Sequence, residues 1–487
     1  MRDEQGTGVT ATMARFIAEA GFEDLPEPVV EQTKIFILDV LGNSFGGITS
    51  DIGQIALKIA SKLGGNPHAH ILGTSIVTSV LSASYVNAKS ANALDFDDAH
   101  LNFLHIGPTT VPAALAVGEM QHCSGKDLVT AVAFAYDIAA RIGLSMGMPF
   151  IVDQEGNFQS GDVQGTSWKV FGAAVAAAKL LRLDVDGVVE TFGIAGANAP
   201  MPAMKKWEFE EARPLPLQKS IDVGWVSQAG VLAALLAQSG STGYRTILEG
   251  QHGFWRMSGA RGCNFDLMID ELGTKWHILE AGIKPYPSCR HMHVALDLFR
   301  TIRDKYQLGS DQIEKVVCKV SPMSVRPVWM NQGPRNLVES EFSIPHSIAM
   351  LAYRIPPGPA WHAPEQIDND AVKEFRKRVF VGLEPKAKQA MMEQYPSFYR
   401  RLPATVEVHL TSGRVLVESA DNALGDCWVP EYRTTMEQAI EKFMANGCGI
   451  LASSSIWRAQ LQAAAEAIFS LEDMDDIYEI GELLTPF

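Results

Sequence analysis

Residues 171–181 read FGAAVAAAKLL, and this stretch decides the fold class. Ala and Leu are the strongest helix formers, and the small side chains allow two helices to approach closely. The same texture returns at residues 125–144, which are rich in Ala, and at residues 223–238, which contain GVLAALLA. Together these segments predict the interior of an assembly of several packed helices.

Apolar spacing predicts another helix near the N-terminus. Apolar side chains recur there on one helix face, at Val30, Ile37, Leu38, Leu41 and Phe45. We expect Gly46 and Gly47 to end this helix. The tail from Thr434 to Leu483 is predicted to be helical again, because it has Ala-rich turns near residues 461–468.

The centre of the chain has a different texture, which begins near Trp276. Prolines interrupt it repeatedly between residues 285 and 359. Ile313 to Val320 is rich in β-branched residues and predicts a strand. Residues 404–410 alternate and lead through a Thr-Ser-Gly turn into residues 414–418, which is the strongest hairpin signal in the chain.

The predicted fold is therefore mainly α. A large all-helical domain is formed by both chain ends, residues 1–280 and 421–487. A smaller α+β lid domain, residues 281–420, is inserted between them. A chain of 487 residues is long enough for two or three units with substantial cores.

The composition is that of an ordinary globular protein, with 47% apolar and 20% charged residues. Lys and Arg number 41 against 56 Asp and Glu, so the formal net charge is −15. This excess of acid argues against a nucleic-acid partner, which would need a basic surface. It does not exclude a small anionic substrate, because a few buried lysines can set the sign of one pocket.

Cysteines and apolar runs indicate the compartment. The six cysteines are widely spaced and form no zinc-finger or redox-pair motif. The first residues lack the apolar core of a signal peptide. The most apolar stretch, residues 128–144, is interrupted by Asp137 and Arg141. We therefore expect a reduced, cytoplasmic protein with no membrane partner.

The densest polar cluster is ALDFDDAH at residues 93–100, followed by His105. Three carboxylates in four residues repel one another, so they must be solvated, bound to a metal or required by a site. One interpretation is a solvated loop or a helix N-terminus with its acids as caps. Another is a functional cluster. A third and less favoured one is a metal site made of Asp97, Asp98, His100 and His105.

Two lysines lie in segments that could contribute to a site. Lys219 precedes the small-residue helix predicted from residue 223, although a single lysine is most often a surface group. Lys284 begins KPYP at residues 284–287. Two prolines make this segment rigid and non-helical, and it lies at the proposed domain boundary, where clefts are common.

Other templates for a metal or cofactor are weak or missing. The spacing of Cys289, His291 and His293 permits a metal site, but the start of a helix over residues 289–299 is the favoured interpretation. The sequence has no Gly-x4-Gly-Lys phosphate loop, no Gly-x-Gly-x-x-Gly after a strand and no Gly-x-Ser-x-Gly elbow. We therefore expect no metal and no organic cofactor.

Several segments, in the same order along the chain, resemble the MmgE/PrpD family: FILDVLG at 36–42, NALDFDD at 92–98, His105 before Pro112, FGAA at 171–174 and KLL at 179–181. The likeness runs from about Phe16 to Ile468, and the Asp-Phe-Asp-Asp box is its most specific element. That family includes 2-methylcitrate dehydratase, cis-aconitate decarboxylase and iminodisuccinate epimerase. The resemblance implies a helical domain with an α+β lid, cofactor-free chemistry and a homodimer.

The resemblance also implies roles for individual residues. Lys219 and the segment 284–287 fall where the family places its substrate-binding lysines. The expected substrate-binding residues are Lys219, Lys284, Asp98 and Tyr286. His105 matches the family histidine and is expected to carry a proton, because an imidazole pKa of ~6.5 is close to working pH. Asp95 would orient His105 or act as a second base.

The sequence departs from the family pattern in several places. Ala99 stands where Thr is common, and His105 is followed by Ile-Gly-Pro instead of Pro alone. The second family histidine is absent, with Val163 near the matching position, and residues 205–213 resemble an insertion. A dehydratase or decarboxylase needs an acid for its leaving group, whereas an epimerase needs only proton removal and return on opposite faces. These losses therefore shift weight towards epimerisation.

The predicted activity is that of a lyase or isomerase acting at carbon next to a carboxylate of a small polycarboxylic acid. A dehydratase or decarboxylase is slightly favoured by family frequency, and an epimerase or isomerase of a dicarboxylate is the alternative. Outside the enzymes, the alternative is a catalytically silent helical dimer that binds a small acid or acts as a scaffold. Deuterium uptake from D2O into candidate acids would separate an enzyme from a silent binder.

Overall fold

The computed structural model describes residues 8–101, 104–148, 150–153, 155, 158–160, 166–203, 214–219, 221–395 and 397–486. The protein is mainly helical and has small sheets, as the sequence predicted. Val163 and residues 205–213, which the sequence comparison singled out, lie outside the described residues.

Long helices dominate the first half of the chain: α1 Val9–Glu19, α2 Glu27–Ile48, α3 Asp51–Leu63, α4 Val80–Ala91, α5 Gly107–Gln121, α6 Gly125–Ser145, α7 Lys169–Leu180, α8 Val185–Ala197 and α9 Val223–Gln238. Shorter helices occupy the middle of the chain: α10 Phe254–Met257, α11 Asp266–Ile269, α12 His293–Lys305, α13 Leu337–Phe342, α14 Ile344–Ala352, α15 Pro364–Ile367, α16 Asp370–Arg376 and α17 Pro385–Gln394. Helices return in the tail: α18 Met436–Cys448, α19 Ser455–Phe469 and α20 Tyr478–Leu483.

Small residues let the central helices pack closely, as predicted from residues 171–181. Helix α7 packs against α5, α6 and α9. A Cβ added at Gly230 of α9 would lie 2.5 Å from the Cβ of Ala173 in α7. Any larger side chain at this crossing would therefore push the two helices apart.

The predicted end of α2 is confirmed within one residue, but the glycines do not act as the helix end. The helix continues through Gly46 and Gly47 and ends at Ile48. A Cβ on Gly47 would lie 1.8 Å from the carbonyl oxygen of Ser90 in α4. The glycine is therefore required for a close helix crossing, and a glycine pair in the sequence does not by itself distinguish this role from a helix end.

The strands are short: β1 Ala69–His70, β2 Val77–Thr78, β3 Asp98–His100, β4 Phe150–Val152, β5 Phe158–Ser160, β6 Ala281–Ile283, β7 Ile313–Val320, β8 Val379–Leu383, β9 Ala404–Leu410 and β10 Val415–Ala420. The four-stranded sheet has the order β10-β9-β7-β8, and its β7–β8 pair is parallel. The predicted strand at 313–320 is confirmed. The predicted hairpin is also confirmed, with Val415 opposite His409 and Gly413 at φ 84° in the turn.

Buried apolar side chains form two large clusters. The first draws on residues 9–283 and 439–484, so both chain ends contribute to it. The second draws on residues 286–423 and includes the inner face of the four-stranded sheet. The domain boundaries after residues 280 and 420 stay predictions.

Helix α6 is the described helix that is long and apolar enough to cross a membrane by length and composition. However, 94% of its most apolar window is buried inside the protein. Asp137 and Arg141 form an ion pair within it, and Arg141 also donates to the carbonyl oxygen of Asp270 at 2.6 Å. These features are typical of the core helix of a helical assembly.

Candidate active site

The two-stranded ladder of β3 and β6 brings the acidic box next to the second lysine segment. Asp98 pairs with Ile283 and His100 pairs with Ala281 in antiparallel register. Just beyond the Asp98–Ile283 pair, the next residues of the two strands are Asp97 and Lys284. A long-range backbone pairing of this kind has no local sequence signal, yet it positions the site.

Lys284 is fully buried against carboxylates. Its Nζ donates to the carbonyl oxygen of Asp95 at 2.7 Å and lies 3.1 Å from the Oδ1 atom of Asp95. Asp97 Oδ1 lies 3.7 Å from the same nitrogen. Burial lowers the pKa of Lys284, but the two carboxylates more than offset this, so its pKa lies above the ordinary lysine value.

The same contacts keep the two carboxylates charged. Burial raises the pKa of Asp95, but the positive charges of Lys284 and then of Lys219 hold the pKa below its ordinary value. The pKa of Asp97 is also held low, against burial, by Lys284 and His105. The interpretation of the acidic box as a solvated loop was therefore wrong, because Asp95, Asp97 and Asp98 are all buried.

His105 is oriented by the acidic segment. Its Nδ1 lies 2.7 Å from the carbonyl oxygen of Asp98 and 3.3 Å from Asp97 Oδ2. A carbonyl oxygen only accepts, so Nδ1 carries a proton, and in the neutral form of the ring Nε2 has the lone pair. The side chain is 24% exposed. His105 can therefore take a proton from a ligand at Nε2, as its predicted role requires.

Asp98 holds the start of helix α5. Its two carboxylate oxygens accept from the backbone N–H groups of Ile106 at 3.2 Å and Gly107 at 2.9 Å. The hydroxyl of Tyr136 donates to the same carboxylate at 2.6 Å. Burial and the charge of Asp97 raise its pKa. The capping interpretation therefore fits Asp98, while substrate binding by Asp98 stays a prediction that these contacts do not favour.

Lys219 is brought to the same region by the segment before α9. Its Nζ donates to the carbonyl oxygen of Asn92 at 2.6 Å and lies 2.9 Å from Glu341 Oε2. Glu341 is fully buried, and neither of its oxygens has a hydrogen bond of good geometry. Burial raises the pKa of Glu341 well above its ordinary value, against the opposing charge of Lys219. Burial therefore favours the neutral form of Glu341 and weakens its hold on the ammonium group of Lys219.

Two of the site residues have unusual backbone conformations. Asp95 has φ 48° and Lys219 has φ 57°, both in the left-handed region. This conformation costs a non-glycine residue roughly 1–2 kcal/mol, and it persists only where the surroundings impose it. Such positions cluster at functional sites.

Tyr286 lies apart from these groups. It is fully buried, and its hydroxyl donates to Asp297 Oδ1 at 2.6 Å. Its ring stacks on Trp361 at a centroid distance of 5.9 Å, inside the second apolar cluster. Substrate binding by Tyr286 stays a prediction, and these contacts indicate a role in the core.

Sequence reasoning missed the pair of Asp39 and Lys442. Lys442 Nζ lies 2.6 Å from Asp39 Oδ1 and donates to the carbonyl oxygens of Phe96 at 2.6 Å and Lys284 at 3.1 Å. Burial raises the pKa of Asp39 to about 6, although Lys442 opposes this shift. The pair ties helices α2 and α18 to both halves of the site. Asp39 lies within the FILDVLG segment, which was the signal available for it.

Sequence reasoning also missed Lys169, the first residue of α7. Its side chain is 3% exposed. Burial lowers its pKa to about 8. The negative charges of Asp97, Asp98 and Asp95 act in the other direction and raise the pKa. Its Nζ makes no hydrogen bond or ion pair with any residue of the described ranges. Lys169 is thus a buried amine close to the acidic box, six residues after Val163 in the chain.

The metal alternatives have different outcomes. The proposed ligand set of Asp97, Asp98, His100 and His105 does not come together, because His100 lies at the other end of the ladder. Asp95, Asp97 and His105 do bring ligand atoms within 4.8 Å of one another. The ammonium group of Lys284 already contacts these two carboxylates, so a lysine supplies the positive charge that a metal would provide there.

The segment after Tyr286 starts a helix, as predicted. Residues 290–292 form one 3-10 turn, and α12 begins at His293. His293 Nε2 lies 3.2 Å from the hydroxyl oxygen of Ser288. Burial lowers the pKa of His291 to about 3.

The fold and this geometry define a mainly helical protein with a buried lysine–carboxylate–histidine site. Residues 11–263 match the model of the MmgE/PrpD N-terminal domain, and residues 286–467 match that of the MmgE/PrpD C-terminal domain. The chain therefore belongs to the MmgE/PrpD family, which confirms the resemblance.

Curated relatives agree with this assignment. The chain is 24% identical to human cis-aconitate decarboxylase, over 98% of this chain and 94% of the relative. It is 23% identical to the mouse cis-aconitate decarboxylase, over 98% and 93%. The cis-aconitate decarboxylase of Aspergillus terreus is 23% identical over 62% of this chain and 61% of the relative. These similarities support an enzyme of the MmgE/PrpD type, broadly a lyase.

Proposed function

We propose that this protein is a cofactor-free enzyme that transfers a proton at carbon next to a carboxylate of a small polycarboxylic acid. A decarboxylase or dehydratase is the favoured reaction type. The observation that carries the proposal is the burial of Lys284 against Asp95 and Asp97 beside His105.

In this chemistry, negative charge develops on a substrate that is already anionic. The two lysines would stabilise that charge. Lys219 lies beside Glu341, whose pKa is raised by burial, so this carboxyl competes less strongly with a substrate for the lysine. Lys284 is fixed by its carboxylate contacts and needs no reorientation during the reaction. Preorganised positive groups of this kind are the largest source of stabilisation for developing charge.

His105 is the proposed proton carrier. Its Nδ1 is held by the carbonyl oxygen of Asp98, which directs the basic Nε2 away from the acidic segment. Asp97 lies 3.3 Å from Nδ1 and stabilises the imidazolium that forms after proton uptake. In this arrangement Asp95 orients the site through Lys284 and is not itself the base, because its pKa is held low.

Lys169 is the proposed second proton-transfer group. The family histidine expected near Val163 is absent. Lys169 lies six residues after Val163, at the start of α7. An amine with a pKa of about 8 remains mostly protonated at pH 7 and can donate to a leaving group or return a proton to carbon. This group supports a lyase, and together with His105 it would also serve an epimerase.

The epimerase remains the second candidate because of Ala99. This residue is buried in β3 opposite Gly282, and it has no hydroxyl with which to assist a leaving group. A dicarboxylate with an acidic carbon would need only proton exchange between two faces.

A proton NMR screen in D2O tests the proposal. Cis-aconitate and a panel of di- and tricarboxylic acids are incubated with the purified wild-type protein, with and without EDTA. We expect deuterium incorporation or conversion of at least one acid, unchanged by EDTA. Conversion with loss of CO2 or water identifies a lyase, whereas exchange with inversion identifies the epimerase. A panel with no exchange and no conversion would contradict the proposal and favour the silent binder.

We further propose a cytoplasmic homodimer without a nucleic-acid or membrane partner. The net charge of −15 supports the exclusion of nucleic acid. Exposed apolar side chains follow α3 and α9, which both pack on α4: Ile55, Ile59, Leu63, Trp225, Leu232 and Leu236. A second copy would cover this face. Light scattering should give twice the chain mass for the wild type and a monomer for Ile59→Glu combined with Trp225→Glu, and a monomeric wild type would contradict the dimer.

A further inference from the structure

A second polar cluster lies at the opposite end of the β3–β6 ladder. His100, at this end of β3, pairs with Ala281, and Glu280 immediately precedes that partner. His277 Nδ1 lies 3.1 Å from Glu280 Oε2, and His100 Nε2 lies 3.9 Å from the same oxygen. The three ligand atoms all lie within 4.8 Å of one another. The cluster is roughly 7 Å along the strand from the Asp98 end.

The imidazole of His100 is the unexplained group. It is 0% exposed, and neither ring nitrogen has a hydrogen-bond partner among the residues that the structure describes. Buried polar side-chain atoms almost always have a partner, because an unpaired one costs roughly 1–3 kcal/mol. Its ring faces that of His277 edge-on, at a centroid distance of 5.6 Å. A ligand bound between the two rings and Glu280 would give Nε2 of His100 a partner.

We propose that His100, His277 and Glu280 bind a divalent transition-metal ion, with Zn²⁺ as the probe of choice. Two imidazoles and one carboxylate are a ligand set that zinc uses in catalytic sites. The same set with open positions also serves iron(II), so the donor chemistry selects borderline transition metals over Mg²⁺ or Ca²⁺. A cation would lie between the shared oxygen Glu280 Oε2 and the two rings.

Contacts outside the three ligands hold them in place. Arg400 donates to Glu280 Oε1 at 2.6 Å, which leaves Oε2 directed at the two rings. The backbone N–H of His277 donates to Asp137 Oδ1 at 2.9 Å. Such outer hydrogen bonds fix ligand orientation in metal sites, and their loss typically weakens metal binding by about 10- to 100-fold.

The site has access to solvent. His277 and Glu280 line a cavity of about 750 Å³, together with Arg141, Lys275 and Arg400. Three protein ligands leave one position of a tetrahedral ion free. Because two of the three ligands line the cavity, water can reach the site.

Titration calorimetry with Zn²⁺ tests the proposal on full-length protein that has been treated with EDTA and then desalted. We expect one ion per chain for the wild type. His100→Gln and His277→Gln should each weaken binding by more than about 100-fold, beyond the loss typical of outer contacts. His122→Gln is the matched control, because His122 is an exposed histidine that also contacts a carboxylate. It should bind Zn²⁺ like the wild type.

His105→Gln separates this site from the other candidate group, Asp95, Asp97 and His105. We expect it to bind Zn²⁺ normally. Absence of zinc binding by the wild type, or binding that is lost in His105→Gln and kept in His100→Gln, would overturn the proposal. If the histidine variants fail to fold, Glu280→Gln and the visible absorption of Co²⁺ added to the wild type replace them. A tetrahedral spectrum that Glu280→Gln abolishes supports the site, and a spectrum of free Co²⁺ refutes it.

Discussion

The two ends of the β3–β6 ladder hold their acids in different ways. At the Asp98 end, the carboxylates of Asp95 and Asp97 face the ammonium group of Lys284. At the His100 end, one oxygen of Glu280 faces two imidazoles while Arg400 takes the other. The same backbone pairing thus supports a centre with a permanent cation and a centre with lone pairs available to a cation.

The groups beside an acid determine which role the acid can take. A carboxylate with a lysine in contact stays charged and fixes the lysine, which then serves an anionic ligand. Glu280 has Arg400 at Oε1, but its Oε2 lies beside two imidazoles, and these three groups form a donor set for a metal ion. The nearest cationic partner therefore says more about the chemistry than the acid itself.

Among the variants proposed, removal of the Lys284 side chain should have the largest effect on stability and activity. Lys284→Met leaves Asp95 and Asp97 buried without their cation, and breaking a buried pair from one side costs about 3–5 kcal/mol. We expect that loss in the free energy of unfolding measured with urea, together with loss of activity. Lys377→Met is the control, because Lys377 is an exposed lysine paired with Glu374. It should change stability by less than about 0.5 kcal/mol. Equal effects of the two variants would refute the buried pairing.

Lys169→Met should mainly affect the chemical step. A proton-transfer group typically contributes about 10²–10⁴-fold, so kcat should fall by that factor while KM changes little. The wild-type kcat should decline above about pH 8 as Lys169 loses its proton, and the variant should lack this alkaline limb. The pH profiles of both proteins decide the matter. If the alkaline decline of kcat persists in Lys169→Met, another group causes it and the proposed role of Lys169 is wrong.

Lys219→Met should cost about 10- to 150-fold in kcat/KM, because a charge-assisted hydrogen bond to substrate contributes about 1.5–3 kcal/mol. Glu341→Gln is a matched control that mimics the neutral carboxyl. Because burial raises the pKa of Glu341 and favours its neutral form, this variant should retain nearly all of the wild-type kcat/KM. A loss in Glu341→Gln as large as that in Lys219→Met would show that the two form a charged structural pair instead.

Asp39→Asn should have the smallest effect, on the pH dependence of stability. Burial raises the pKa of Asp39 to about 6, so between about pH 4 and 6 the folded state holds a proton that the unfolded state has released. This group therefore contributes stability that is present below pH 4 and is lost as pH rises through 6. Urea unfolding at pH 4.5, 5.5 and 6.5 should show that the free energy of unfolding of the wild type falls relative to that of the variant as pH rises. The difference in slope should correspond to at most about one proton. Parallel profiles would place the pKa of Asp39 outside this window.

Much of the helical architecture could be predicted because local signals determine it. Composition alone placed α6, α7 and α9 within a residue or two, and alternation around a turn placed the hairpin of β9 and β10. The role of Gly47 near the end of α2 could not be predicted, because this glycine serves contact with α4, and a contact partner is not a local property.

The site could be predicted in part for the same reason. Asp95, His105, Lys219 and Lys284 were candidates from their sequence context, and the family resemblance supplied their expected roles; the structure places their charges close together. Lys169 and Lys442 were missed, because a lysine in a helix has no local signal that it is buried. His100 and Glu280 meet only through the ladder.

The central claim is that His105 transfers a proton for a substrate bound by the lysines of the Asp98 end. The most direct test is the rate of deuterium incorporation by His105→Ala, measured by NMR on the acid that the wild type converts, with His122→Ala as the control. We expect a loss of about 10²–10⁴-fold for His105→Ala with its fold intact, and a wild-type rate for His122→Ala. A folded His105→Ala protein that exchanges deuterium at the wild-type rate would contradict it.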